Sequence, residues 1–195
     1  MTGFEVDDLD VLQILRIKGA AADVAVADAL RVAGDVVAER LAVLEAQGSV
    51  WRVATPPGAW ALTREGIDVH AEQAELRRAS GTTDVRVGYE VFLEVNQDVK
   101  QLTSDWQRGA EPLEVLDELG EIHEQVGEGF AIAARDVPRF GAYAERLGTA
   151  LEQARAGDRR FVADPLLPSF HTVWFECHED FLITLGRSRA QEGST

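Results

Sequence analysis

Asp35-Val36-Val37-Ala38-Glu39-Arg40-Leu41-Ala42-Val43-Leu44-Glu45-Ala46-Gln47-Gly48-Ser49-Val50-Trp51-Arg52-Val53 holds the change of period on which the reading of the fold turns. From Asp35 to Gln47 the apolar residues Val37, Leu41 and Leu44 recur at helical spacing, with Val36 and Val43 beside them, and Gly48 is a natural stop. Val50 to Val53 then alternates as a strand does. Thr55-Pro56-Pro57-Gly58 cannot continue a helix, and Ala59-Trp60-Ala61-Leu62 reads as the returning strand. Thr63 caps a further helix, with Glu65 in its first turn, that reaches about Arg78.

Working outward, a helix is predicted from about Val6 to Lys18, its apolar side made by Leu9, Leu12, Ile14, Leu15 and Ile17, with Gly19 ending it. A second is predicted from Asp23, read as its N-cap, to Leu30 or Arg31. Val32-Ala33-Gly34 separates it from the helix that starts at Asp35. Helix, short turn and helix with facing apolar sides make a helix-turn-helix, and the two-stranded ribbon after the third helix makes it winged. Ala79-Ser80-Gly81-Thr82-Thr83 reads as the end of this first domain, residues 1–80.

From Asp84 the pattern is helical throughout. Helices are predicted over about Asp84–Gln107, Pro112–Arg135, Pro138–Ala156 and Ser169–Leu185, with Gly157–Pro168 as a loop. Four amphipathic helices predict a four-helix bundle over residues 84–186, followed by a polar tail at 187–195. The fold class expected is therefore mainly α: a winged helix-turn-helix followed by a helical bundle.

In a helix-turn-helix the third helix enters the major groove and its first two turns meet base edges. Those positions are Asp35, Val36, Glu39 and Arg40. Arg40 suits a guanine edge or a phosphate, while Asp35 and Glu39 can accept from cytosine but repel phosphates. The ribbon adds Arg52, Thr55 and Arg64, and Arg16 and Lys18 stand at the end of the first helix. Charge opposes this reading. The chain has a formal net charge of -15, and duplex DNA repels an acidic body. The imbalance is milder in residues 1–80, with eight basic and thirteen acidic side chains, than in 81–195, with eleven and twenty-one.

Leu44-Glu45-Ala46-Gln47-Gly48-Ser49-Val50 and Trp60-Ala61-Leu62-Thr63-Arg64-Glu65-Gly66 carry a resemblance. The segment from Leu12 to Gly66 resembles the winged-helix domains of bacterial regulators of the MarR and PadR types. The whole chain is similar to actinobacterial winged-helix proteins with a helical C-terminal domain. The resemblance implies a regulator that binds double-stranded DNA; the arrangement expected is a homodimer in which the helical domain serves dimerisation or the sensing of a small-molecule effector. Relatives of this arrangement are sometimes attached to phosphoenolpyruvate-utilising dikinase-like enzymes, which implies the alternative of a non-DNA module that docks on or regulates such an enzyme.

A second dense region is Ser169 to Asp180. His171, Trp174, Phe175 and His178 sit at i, i+3, i+4 and i+7, on one helical face. His123 lies among Leu119, Ile122 and Val126, and Asn96 among Phe92, Val95 and Val99. One reading is a ligand pocket inside the bundle built by Asn96, His123, His171, Trp174 and His178. The other is an internal hydrogen-bond network that fixes helix register. His171 and His178 are two turns apart, about 10.5 Å along the axis, too far to share a metal ion. No metal and no cofactor is expected.

No enzyme is expected either. Cys177 has no histidine at helical spacing, Gly127 and Gly129 match no phosphate loop, and the carboxylates from Glu111 to Glu128 read as a solvated helix face. Cys177 is the single cysteine, which suits a reducing cytoplasm. The acidic start and the absence of a long apolar run give no secretory signal and no membrane span.

Overall fold

The computed structural model describes residues 5–55 and 57–188 and is mainly helical, with one small antiparallel sheet. Pro56 of the expected turn and residues 189–195 of the expected tail lie outside the described residues. The chain divides into two compact units. One runs through Gly81 and takes in the chain from Leu182, and the other is Thr82–Phe181.

The first unit opens with α1 (Asp8–Lys18), α2 (Asp23–Leu30) and α3 (Gly34–Ala46). The start of α1 is fixed by a capping box, in which Asp7 accepts from the Asp10 backbone and Asp10 from that of Asp7. Asp23 is not the cap expected of it. Ala22 holds that position, Asp23 is the first helical residue, and its Oδ1 accepts from Val24 N at 2.8 Å. The turn after α2 is made at Arg31, in the left-handed region at φ 54°, while Gly34, expected in the break, is the first residue of α3. The three helices meet on Leu12, Leu15, Val26, Leu30, Val37 and Leu41, all buried. Each comes from the apolar stripe that burial against neighbouring helices demands.

The C-terminal end of α3 closes in a Schellman arrangement. Gly48, at φ 78°, donates to Glu45 O, and Ser49 donates to Leu44 O. The chain is thereby turned into β1 (Val50–Arg52), which pairs antiparallel with β2 (Trp60–Leu62) in the register Val50↔Leu62, Trp51↔Ala61 and Arg52↔Trp60. A third contribution to this sheet is absent from the sequence reading. Ala21, between α1 and α2, exchanges both backbone hydrogen bonds with Trp60, at 3.0 and 2.8 Å. A single bridging residue has no period and leaves no pattern to read. Trp60 is buried in the core of this unit, whereas Trp51 is 52% exposed. The alternation that sends Val50 inward sends its neighbour outward.

α4 (Arg64–Ser80) follows at once. Thr63 is its cap as expected, accepting from Gly66 N at 2.9 Å. α4 packs on α1, where the buried pair Gln13 and His70 meet at 2.5 Å.

The second unit contains α5 (Thr83–Gln107), α6 (Pro112–Ala133), a single 3-10 turn (Pro138–Phe140), α7 (Gly141–Arg155), the four-residue α8 (Arg160–Ala163) and α9 from Phe170 to Phe181; α9 as a whole runs to Leu185. A short connection sets α5 against α6, and α6 in turn packs on α7. The expected Pro138 helix begins as this 3-10 turn, and the expected loop Gly157–Pro168 contains α8. α9 meets α5 through stacked Phe92 and Trp174, 4.4 Å between centroids, and meets α7 through hydrogen-bonded side chains.

Candidate functional site

On α3, Asp35, Val36 and Glu39 are exposed and Arg40 is partly so. Their exposure follows from the same period that buries Val37, Leu41 and Leu44 on the other side. Asp35 turns its Oδ1 back to accept from Val36 N at 2.9 Å. Arg40 is the one Lys or Arg in α3, and its Nη1 lies 3.6 Å from Asp8 Oδ1. Of the other expected contacts, Arg52 and Thr55 are exposed at the ribbon. The Arg52 guanidinium lies over the Trp60 ring, 4.1 Å from its centroid, so the cross-strand pair is a cation–π contact. Arg64 stands in solvent at the start of α4, 3.7 Å from Asp68. The surface thus mixes cations with the carboxylates of Asp35, Glu39 and Glu45.

The residues expected around a pocket in the second unit fall into separate places. Trp174 donates from Nε1 to Asn96 Oδ1 at 3.0 Å, and His178 Nε2 lies 3.1 Å from Tyr89 OH. Phe92 packs against both Trp174 and His178. Asn96, Trp174 and His178 therefore share one buried aromatic layer. His123 is elsewhere, on the α6–α7 contact, with Nε2 at 2.8 Å from Ala144 O. His171 is half-buried, and burial lowers its pKa from the ordinary 6.5. Among the described residues, no group of three or more His, Cys, Asp or Glu is placed to hold a metal ion. A groove of about 510 Å³ lies where α5 turns into α6, lined by residues including Asp98, Asp105, Arg108, Glu114 and Glu118, and by none of the five expected pocket residues.

The sequence reading missed a buried charged layer between α7 and α9. Arg139 donates to Asp180 from Nε at 3.0 Å and from Nη2 at 2.8 Å, and Tyr143 OH donates to the same carboxylate at 3.0 Å. Arg146 Nη2 donates to Glu176 at 2.5 Å. Asp180 is fully buried and Arg139 is 3% exposed. Burial, with the Asp180 charge next, pushes the Tyr143 hydroxyl well above its ordinary pKa and does the same to the Cys177 thiol. The available signal was spacing. Arg139, Tyr143 and Arg146 sit at i, i+4 and i+7, and Glu176 and Asp180 at i and i+4, each set within an apolar stripe. Two cations facing two carboxylates form a charge-matched set suited to holding helices in one register.

Comparison with protein-family models, with curated proteins and with solved structures returned no match. No helix among the described residues is long and apolar enough to cross a membrane.

Proposed function

We propose that this chain is a DNA-binding transcriptional regulator. Its first unit is a winged helix-turn-helix, with α3 as recognition helix and the β1–β2 ribbon as wing. Its second unit is a helical bundle that serves a homodimer. The observation that carries this reading is the presentation of α3. Its inner side is locked to α1 and α2, its first two turns are exposed, and its far end leads through the Gly48 turn into a ribbon bearing exposed Arg52. A helix so presented, beside a ribbon bearing one arginine, fits a major groove with a neighbouring backbone contact. In a homodimer two such helices read half-sites about one duplex turn apart.

The test is titration of labelled duplexes from the DNA flanking the coding sequence, followed by fluorescence anisotropy across a salt series. Binding weakens steeply with salt, and Arg40→Ala lowers affinity about tenfold and the salt slope by about one. Absence of binding to every fragment at low salt overturns the proposal.

One feature favours a second reading, a protein-docking module. The exposed side of α3 carries Val36 and Val43 as well as Asp35, Glu39 and Glu45, and Trp51 of the ribbon is exposed. Apolar residues ringed by carboxylates suit a basic protein surface better than a phosphate backbone.

A further inference from the structure

Two cations lie in the stretch from α2 through α3, and both are turned to carboxylates. Arg31 Nη1 is 2.9 Å from Asp28 on its own helix end, and Arg40 Nη1 is 3.6 Å from Asp8 of α1. The second contact differs in kind, because its acid comes from another element and is held there. Asp8 is the first residue of α1, between the two members of the capping box, Asp7 and Asp10. The cap residue Asp7 is itself gripped from α4, with Arg77 Nη2 at 2.5 Å from its Oδ2. Asp8 Oδ1 is screened from solvent and has no hydrogen-bond partner. It faces a guanidinium that is still 38% exposed.

From this geometry we infer that Asp8 is an autoinhibitory phosphate mimic: it occupies the cation of the recognition helix until a nucleic-acid phosphate displaces it. The inference rests on the DNA-binding reading proposed above. A carboxylate oxygen and a phosphate oxygen present the same acceptor to a guanidinium, so the two compete for Arg40. The contact is single and at 3.6 Å, not a bidentate clamp, and both side chains reach solvent. It is therefore weak enough for a phosphate to replace. Its effect falls chiefly on encounters that offer phosphate alone. A duplex that engages α3 and the wing together supplies enough further contacts to pull Arg40 away. The acid thus suppresses non-specific binding more than specific binding. Because Asp7 is tied to Arg77, a shift of α4 moves the same acid pair and alters the competition.

The experiment is a double-mutant cycle on the full chain, with Asp8→Asn, Arg40→Ala and the double variant, read by anisotropy with a mixed-sequence duplex at low salt. Asp8→Ser repeats the test should the Asn variant fold poorly. Asp8→Asn tightens binding about two- to fivefold in the native background and leaves it unchanged in the Arg40→Ala background. An equal gain in both backgrounds means that Asp8 acts only through overall charge and overturns the masking, while the DNA-binding reading stands. No gain in the native background also overturns it. Absence of duplex binding by all four proteins overturns the DNA-binding reading and the masking with it.

Discussion

At the scale of the residue, the second unit depends on buried charges that face one another. Asp180 accepts from both Nε and Nη2 of Arg139 and from Tyr143 OH, with no exposure to water. Asp180→Ala strands a guanidinium and a phenol in the interior, and the expected loss is about 3–5 kcal/mol in a urea titration. A loss under about 1 kcal/mol would mean the layer is open to solvent. His171 works through pH. Burial lowers its folded pKa below the ordinary 6.5, so as pH falls the unfolded chain takes up the proton first. Stability due to this group is therefore present above pH 6.5 and declines as pH drops through that value toward the folded pKa. His171→Gln is expected to flatten the fall of melting temperature between about pH 7 and pH 5. Superimposable profiles would refute the assignment.

At the scale of the element, glycines within helices separate contact from mere tolerance. A Cβ on Gly88 of α5 would sit 2.4 Å from Gly129 O of α6, a backbone atom that cannot step aside. Gly88→Ala therefore forces α5 and α6 apart, at an expected cost of at least about 1–3 kcal/mol. Gly127, two residues before Gly129, has nothing within 4 Å of the same position. There Gly127→Ala adds only helix propensity and is expected to stabilise by about 0.5–1 kcal/mol. Opposite signs in thermal melts confirm the close approach, and equal signs exclude it. The helices themselves were legible, because Leu12, Leu15, Leu41 and Leu44, like Val95, Val99 and Leu102, repeat at their period. The partner of Gly88 was not, since 41 residues separate the two glycines and no local pattern links them.

At the scale of the whole molecule, the fully buried Cys177 reports on the integrity of the second unit. Its thiol is pushed well above its ordinary pKa by burial and by Asp180, so little thiolate exists near neutrality. A thiol reagent such as DTNB is expected to leave the native protein unmodified and to react fully in denaturant. Rapid labelling of the native protein would show that this interior opens readily. The division into two units also crosses the order of the chain. Beyond Phe181 the last helix belongs with the first unit, where Arg78 Nη1 donates to Ile183 O at 3.1 Å. α4 ends at Ser80 and α5 starts at Thr83, and no local pattern in the sequence signals the return of the last helix.

The sequence by itself determined where the longer helices and the ribbon lie, that Thr63 caps α4, and which side of α3 is left exposed. These follow from periods of two and 3.6 residues and from capping chemistry, which act over a few neighbours. Only the tertiary structure decided that Asn96 pairs with Trp174 while His123 serves a different contact, that Arg139 and Arg146 are interior, and that Asp8 reaches Arg40. The physical reason is common to all three. A charged or polar side chain on a helix has many acceptable partners, and which one it finds depends on packing between segments far apart in the chain.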